Sequence, residues 1–118
     1  MFETLREVDP LEARGLVSSG VAVLLDVREA DEWEAGHAPE AIHVPLSTAD
    51  ERLRELTAKL TDDQLLVVVC RSGRRSALAV GRLRAAGRAA YNLRGGMQAW
   101  SLAGLPVCRP GGRPGTVI

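Results

Sequence analysis

Residues 70–76, Cys70-Arg71-Ser72-Gly73-Arg74-Arg75-Ser76, hold the chain's best nucleophile and three guanidinium groups within five positions of it. The thiolate is the reactive form of cysteine. Nearby positive charge or helix N-terminal N–H groups lower its pKa to about 3.5–7.5, against about 8.5 for a free thiol. Arginine presents a planar fork of donors that suits oxyanions. The segment therefore reads as an anion-binding loop with a nucleophile inside it. A plainer reading stands beside this one: a small cysteine at a strand end, with arginines on the surface.

The flanking sequence says what must hold the loop. Leu65 to Val69 is a continuous, β-branched apolar run, as expected of a strand buried on both faces of a parallel sheet. After the loop, Ser76, Ala79, Val80, Leu83 and Ala86 recur at helical spacing. Cys70 thus ends a strand and faces the start of a helix, where unpaired N–H groups and the macrodipole favour an anion.

Upstream, Leu5 to Val8 reads as a short edge strand. Asp9 caps a helix with Pro10 at its first position, Glu12 in capping-box register and Gly20 at its end. Val21 to Val27 is a second apolar run, Glu29 to Ala35 a short acidic helix stopped by Gly36, and Ala41 to Val44 a brief strand ended by Pro45. Ser47 is placed to cap the next helix, with Asp50 three residues on and Ala49, Leu53, Leu56 and Leu60 along one face. Gly87 closes the helix after the loop, Ala89 to Leu93 is a last strand, and Gly95-Gly96 opens a short helix ended by Gly104-Leu105-Pro106. Strands alternating with helices predict an α/β domain with a parallel sheet covered on both faces. Ligands then bind beyond the carboxyl ends of the strands, where Cys70 and Asp26 both fall.

Whole-chain properties bound the function. The 118 residues make one domain, and fifteen basic residues balance fifteen acidic ones, so net charge points to neither nucleic acid nor a membrane surface. Two cysteines make no disulfide framework and lack metal-ligand spacing, so no metal and no cofactor are expected. The N-terminus has no apolar signal core, and a cytoplasmic location is the expectation.

Four motifs in order resemble the rhodanese homology domain over about residues 4 to 107. They are Asp26-Val27-Arg28-Glu29 with Glu32-Trp33 and Gly36-His37-Ala38-Pro39; the segment from Cys70 to Ser76; Asn92-Leu93-Arg94-Gly95-Gly96-Met97-Gln98-Ala99-Trp100; and Gly104-Leu105-Pro106-Val107. The resemblance implies a five-stranded parallel sheet with helices on both faces. It implies transfer of sulfane sulfur through a persulfide on Cys70, cradled by the backbone N–H groups of Arg71, Ser72, Gly73, Arg74, Arg75 and Ser76. Residues 1–107 would form this domain and 108–118 a loosely held Gly/Pro/Arg-rich tail. The partners would be a small anionic sulfur donor, a thiol or cyanide-like acceptor, and in some settings a protein persulfide. Two departures are local: Glu40 stands where the family usually has glycine, and the tail runs past the usual end, where it could narrow access or bring Cys108 near.

Rival chemistries and roles remain in view. Phosphatases and arsenate reductases that look like this fold carry arginine six positions after the cysteine; here that position is Ser76, and a smaller ring of N–H groups suits sulfur better. A non-catalytic carrier or binding module is a third class. One or two of Arg71, Arg74 and Arg75 are expected to orient substrate, with the others solvated. Gly73 supplies a backbone conformation other residues resist. Ser76 is either a helix cap or a substrate contact. Asp26 and Arg28 are supporting residues: Asp26 bonds backbone or Arg28, or tunes Cys70, while Arg28 pairs with Glu29 or Glu32. His37 reads as packing plus a backbone bond rather than an acid–base partner, and His43 has a weaker case. Trp33 is placed at the pocket mouth, Trp100 in the core against Leu93 and Leu102, and Cys108 reads as a tail cysteine without a resolving role.

Overall fold

The structure is a computed structural model and describes residues 6–61 and 63–118. Its five strands are β1 (Glu7–Val8), β2 (Ala22–Asp26), β3 (Ile42–His43), β4 (Leu65–Val69) and β5 (Ala90–Leu93). The helices are α1 (Pro10–Ser18), α2 (Ala30–Ala35), α3 (Ala49–Thr57), α4 (Arg74–Ala85) and α5 (Gly96–Leu102). All strand pairs are parallel, in the order β1-β5-β4-β2-β3. The run Leu65–Val69 is therefore the central strand, which is why it needs no polar face.

Alternation along β4 divides its side chains between two apolar layers. Leu66 and Val68 pack with Leu53, Leu56, Ala79, Val80 and Leu83 from α3 and α4. Val67 and Val69 pack on the other face with Ala13, Met97 and Trp100 from α1 and α5. Each fully buried aliphatic side chain contributes about 1.5–3 kcal/mol. The same period carries Cys70 onto the α4 face.

Local signals act as their chemistry requires at α1. The Asp9 carboxylate accepts from the Glu12 N–H (2.9 Å), and the Glu12 carboxylate from the Asp9 N–H (3.2 Å). Elsewhere the structure departs from expectation. Leu5 of the predicted edge strand lies outside the described residues, as do the side chains of Ala49 and Asp50. The cap of α3 is Thr48, after a 3-10 turn over Leu46–Thr48, because Ser47 turns its hydroxyl to Glu29 Oε1 (3.2 Å). Trp100 is buried and shares its layer with Leu93, whereas Leu102 is 90 % exposed. Two positions along a helix face opposite ways, so both could not point inward.

The C-terminal segment is not loosely held. Cys108 and His37 exchange backbone hydrogen bonds (2.8 and 2.9 Å), the chain turns so that Cys108 pairs with Pro114, and Thr116 N–H donates to Ala35 O (2.9 Å). The segment ends at the reactive loop, where Arg71 Nε donates to Ile118 O (3.0 Å).

Candidate active site

The loop after β4 is shaped by two glycines. Gly73 caps α4 at φ +106°, a left-handed conformation that a side chain resists. That turn brings its own N–H to 3.0 Å from Cys70 Sγ. Behind the loop, Gly96 sits so close that a Cβ there would lie 2.5 Å from the carbonyl oxygens of both Cys70 and Arg71. This approach lets Met97 N–H donate to Cys70 O (2.8 Å) and Gln98 N–H to Arg71 O (3.1 Å). With its carbonyls held by α5, the loop presents N–H groups to the sulfur.

Ser76 completes the sulfur's surroundings. It is not the helix cap, which is Gly73. Ser76 lies fully buried in the first turn of α4, and its one hydroxyl hydrogen is shared between Cys70 Sγ (3.2 Å) and Asn92 Oδ1. Asn92 in turn donates from Nδ2 to Gly73 O (2.9 Å), tying β5 to the loop. Burial pushes the Cys70 thiol up. The Ser76 hydroxyl and the backbone N–H groups of Ser76, Gly73 and Ser72 outweigh that burial and hold the thiol below its ordinary value. A stabilised thiolate, at the N-terminus of a twelve-residue helix, can attack an electrophile and bear negative charge afterwards.

The arginines divide. Arg75 makes a bidentate ion pair with Glu32 (2.6 and 2.8 Å), which drives the Glu32 carboxyl down to about 2 and raises the Arg75 guanidinium. Arg71 is engaged by Ile118 O, and Arg74 is exposed. The loop is consequently less open than three adjacent arginines suggest, and Cys70 is only 1 % exposed.

Asp26 and Arg28 pair with each other. Arg28 forks onto the Asp26 carboxylate (2.7–3.1 Å) and donates to Gly36 O (2.7 Å), both side chains being fully buried. Asp26 thus makes both bonds expected of it, to Arg28 and to backbone, while Glu29 and Glu32 are not the partners of Arg28: Asp26, two residues away and equally dry, neutralises the charge without exposing it. Since Asp26 lies in register with Val69, the pair braces the end of the strand beside the loop. His37 Nδ1 bonds Trp33 O (2.8 Å) and His43 Nε2 bonds Arg28 O (2.7 Å), and both rings stack on Trp33. Trp33 thus stacks against two imidazoles. Among the described residues no group of three or more His, Cys, Asp or Glu side chains could hold a metal.

Residues 9–103 match the sequence profile described as the rhodanese-like domain. The chain belongs to that family. A sulfurtransferase of Allochromatium vinosum is 36 % identical over 91 residues, covering 76 % of this chain and 81 % of the relative. An HTH-type transcriptional regulator of Mycobacterium tuberculosis is 42 % identical over 91 residues, covering 75 % of this chain but only 38 % of the regulator's length. The crystal structure of a rhodanese-related protein from Thermoplasma volcanium superimposes with a TM-score of 0.72 at 32 % identity, covering 86 % of this chain and 96 % of that one.

Within this rhodanese-like domain, sequence reasoning overlooked two site residues. Asn92 has a local signal, an amide in a strand otherwise made of Ala90, Tyr91 and Leu93. Glu32 has none, because its partner Arg75 is 43 residues away. Among the described residues no helix is long and apolar enough to cross a membrane.

Proposed function

We propose that this rhodanese-like domain is a sulfurtransferase that carries sulfane sulfur as a persulfide on Cys70. The Cys70 thiolate attacks the outer sulfur of thiosulfate or of another persulfide donor. A new S–S bond forms to Cys70 while the donor's bond breaks, and sulfite or a thiolate leaves with the electron pair. A thiol or cyanide-like acceptor then attacks the terminal sulfur and regenerates the Cys70 thiolate. Two half-reactions through one covalent intermediate give ping-pong kinetics.

The observation that carries this reading is the set of donors on one sulfur: Gly73 N–H at 3.0 Å and Ser76 Oγ at 3.2 Å from Cys70 Sγ. Donors fixed before the reaction stabilise a sulfur anion without reorganising, as oxyanion-hole donors do. The small exposure of Cys70 favours a donor that reaches it with one sulfur on a thin S–S axis. Arg74, exposed at the rim, is the loop arginine best placed to attract an anionic donor. Arg71, Ser72, Arg75 and Ser76 shape the loop around the donor, and Asp26 with Arg28 supports it from β2. The rival oxyanion chemistry has less support, since the sixth position holds Ser76 bonded to Cys70 and Arg75 is occupied by Glu32.

Intact-mass measurement before and after thiosulfate or a low-molecular-weight persulfide tests the proposal. The expected result is a gain of one sulfur that cyanide removes, absent in Cys70→Ser together with thiosulfate:cyanide transfer. Full activity in Cys70→Ser, or no mass gain with either donor, refutes it.

A further inference from the structure

Zero net charge hides a segregation. All fifteen acidic residues precede Leu65, and from Leu65 to Ile118 there are nine arginines and no aspartate or glutamate. That half of the chain builds the Cys70 loop, α4, β5, α5 and the returning C-terminal segment. Some of its charge is used internally. Arg75 is paired with Glu32, Arg84 donates to Ala90 O and lies over the Tyr91 ring, and Arg88 donates to Thr61 O. Arg71, whose Nε bonds Ile118 O, and Arg74 and Arg82 have exposed side chains.

Arg74, Leu78 and Arg82 recur at four-residue spacing along α4, which stacks them in one stripe leading away from the Cys70 loop. Leu78 is 64 % exposed at its centre. A single exposed leucine is ordinary, but this one has more beside it. Ala77 and Gly81 are exposed alongside, and the space above Gly81 is open. Next to them, between α4 and the β1–β5 edge, lies a hollow of about 240 Å³ lined by Arg6, Glu7, Ala77, Val80, Gly81 and Asn92. Its Asn92 is the residue that bonds Ser76 and Gly73 around the sulfur. Cationic side chains, a projecting apolar residue and a recess are therefore contiguous with the reactive loop.

We propose that this face of α4 docks the acidic surface of a protein that delivers sulfur to Cys70 or removes it. The inference rests on the sulfur-transfer reading and names its partner class. A small anion needs only the loop and Arg74, and has no use for Leu78 or the hollow one to two turns further on. A nucleic acid is poorly matched as well. Leu78 interrupts the cations, and no aromatic side chain lies on the stripe for bases to stack on. A protein surface with carboxylates around an apolar contact complements Arg74, Arg82, Leu78 and the hollow.

Leu78→Glu and Gly81→Glu place a negative charge on the stripe and beside the hollow, at exposed helical positions with room for it. Circular dichroism checks that both variants fold. Two short labelled peptides serve as probes. One has aspartates and glutamates around a leucine and ends in Gly-Gly-Cys, and the other replaces the acidic residues by asparagine and glutamine. In the Cys70→Ser protein, fluorescence anisotropy should show preference for the acidic peptide and weakening with salt. Adding either glutamate should cost about tenfold in affinity, as a like charge placed against the partner's carboxylates does. With Cys70 present, persulfide transfer to the acidic peptide should slow similarly in both variants, while transfer to cyanide stays unchanged. Equal binding of the two peptides, unaltered binding in the variants, or capture of a labelled oligouridylate instead of the peptide overturns the proposal. If no persulfide forms in any protein while the anisotropy results hold, sulfur transfer fails and the docking surface stands.

Discussion

Replacing Glu32 with glutamine removes the charge that occupies Arg75. The pair is bidentate, at 2.6 and 2.8 Å, with Glu32 13 % and Arg75 36 % exposed. The Glu32 carboxyl moves from 4.5 to about 2, chiefly through the hydrogen bonds from Arg75. Taken whole, that displacement corresponds to about 3 kcal/mol, at 1.36 kcal/mol per pKa unit. Arg75 is open to water on one side, and solvent-exposed ion pairs contribute well under this. Discounting for that screening leaves about 1–2 kcal/mol for Glu32→Gln at pH 7. The folded-state pKa is the lower one, so the contribution is complete above about pH 4.5 and is lost as pH falls toward 2. Urea unfolding of wild type, Glu32→Gln, Arg75→Met and the double variant, at neutral and acid pH, isolates the pair term. A coupling below about 0.5 kcal/mol at pH 7, or one that persists unchanged near pH 2, would refute the assignment of Arg75 to a structural pair.

Other outcomes follow from the same geometry. Ser76→Ala removes a donor from the Cys70 sulfur, so the thiol pKa rises; the pH profile of iodoacetamide labelling should move upward and the rate at pH 7 fall, and an unmoved profile contradicts the role given to the hydroxyl. Gly96→Ala drives a methyl group into the Cys70 and Arg71 carbonyls at φ +63° and should destabilise by more than about 2 kcal/mol while slowing Cys70 labelling. Gly81→Ala, in open space within α4, should instead stabilise by about 0.5–1 kcal/mol; thermal melts compare the two. Arg28→Met leaves the fully buried Asp26 carboxylate unpaired and should cost about 3–5 kcal/mol in urea unfolding, and a cost below about 1 kcal/mol denies the pair its bracing role.

What could be read from the sequence was whatever its neighbours in the chain decide. The capping box of Asp9 and Glu12 closes over three residues, and Leu65–Val69 announces a central strand because burial on both faces leaves no polar position. The position of Cys70 follows from that strand's alternation and the helix after it. Pairings across the fold left no such trace. Arg75 looked like an anion ligand because Glu32, which occupies it, is remote in sequence. Nearer by, the sequence offered Arg28 three carboxylates, Asp26, Glu29 and Glu32, and burial selects Asp26. The C-terminal segment, rich in glycine and proline, has the composition of a free tail, yet its backbone is satisfied by Ala35 and His37. Charge totals concealed the confinement of every acidic residue to the part before Leu65, which matters only once α4 is seen beside the loop.

The contact of Gly96 with the back of the Cys70 loop sets the smallest portable unit of this chemistry. A thiol whose donors are aimed by a helix more than twenty positions later cannot be transplanted as a short peptide onto another strand–helix junction. The graft would carry the same side chains, but its carbonyls would be free to swing round and face the sulfur. What can be moved between scaffolds is the span from Leu65 to Leu102, strand and rear helix included.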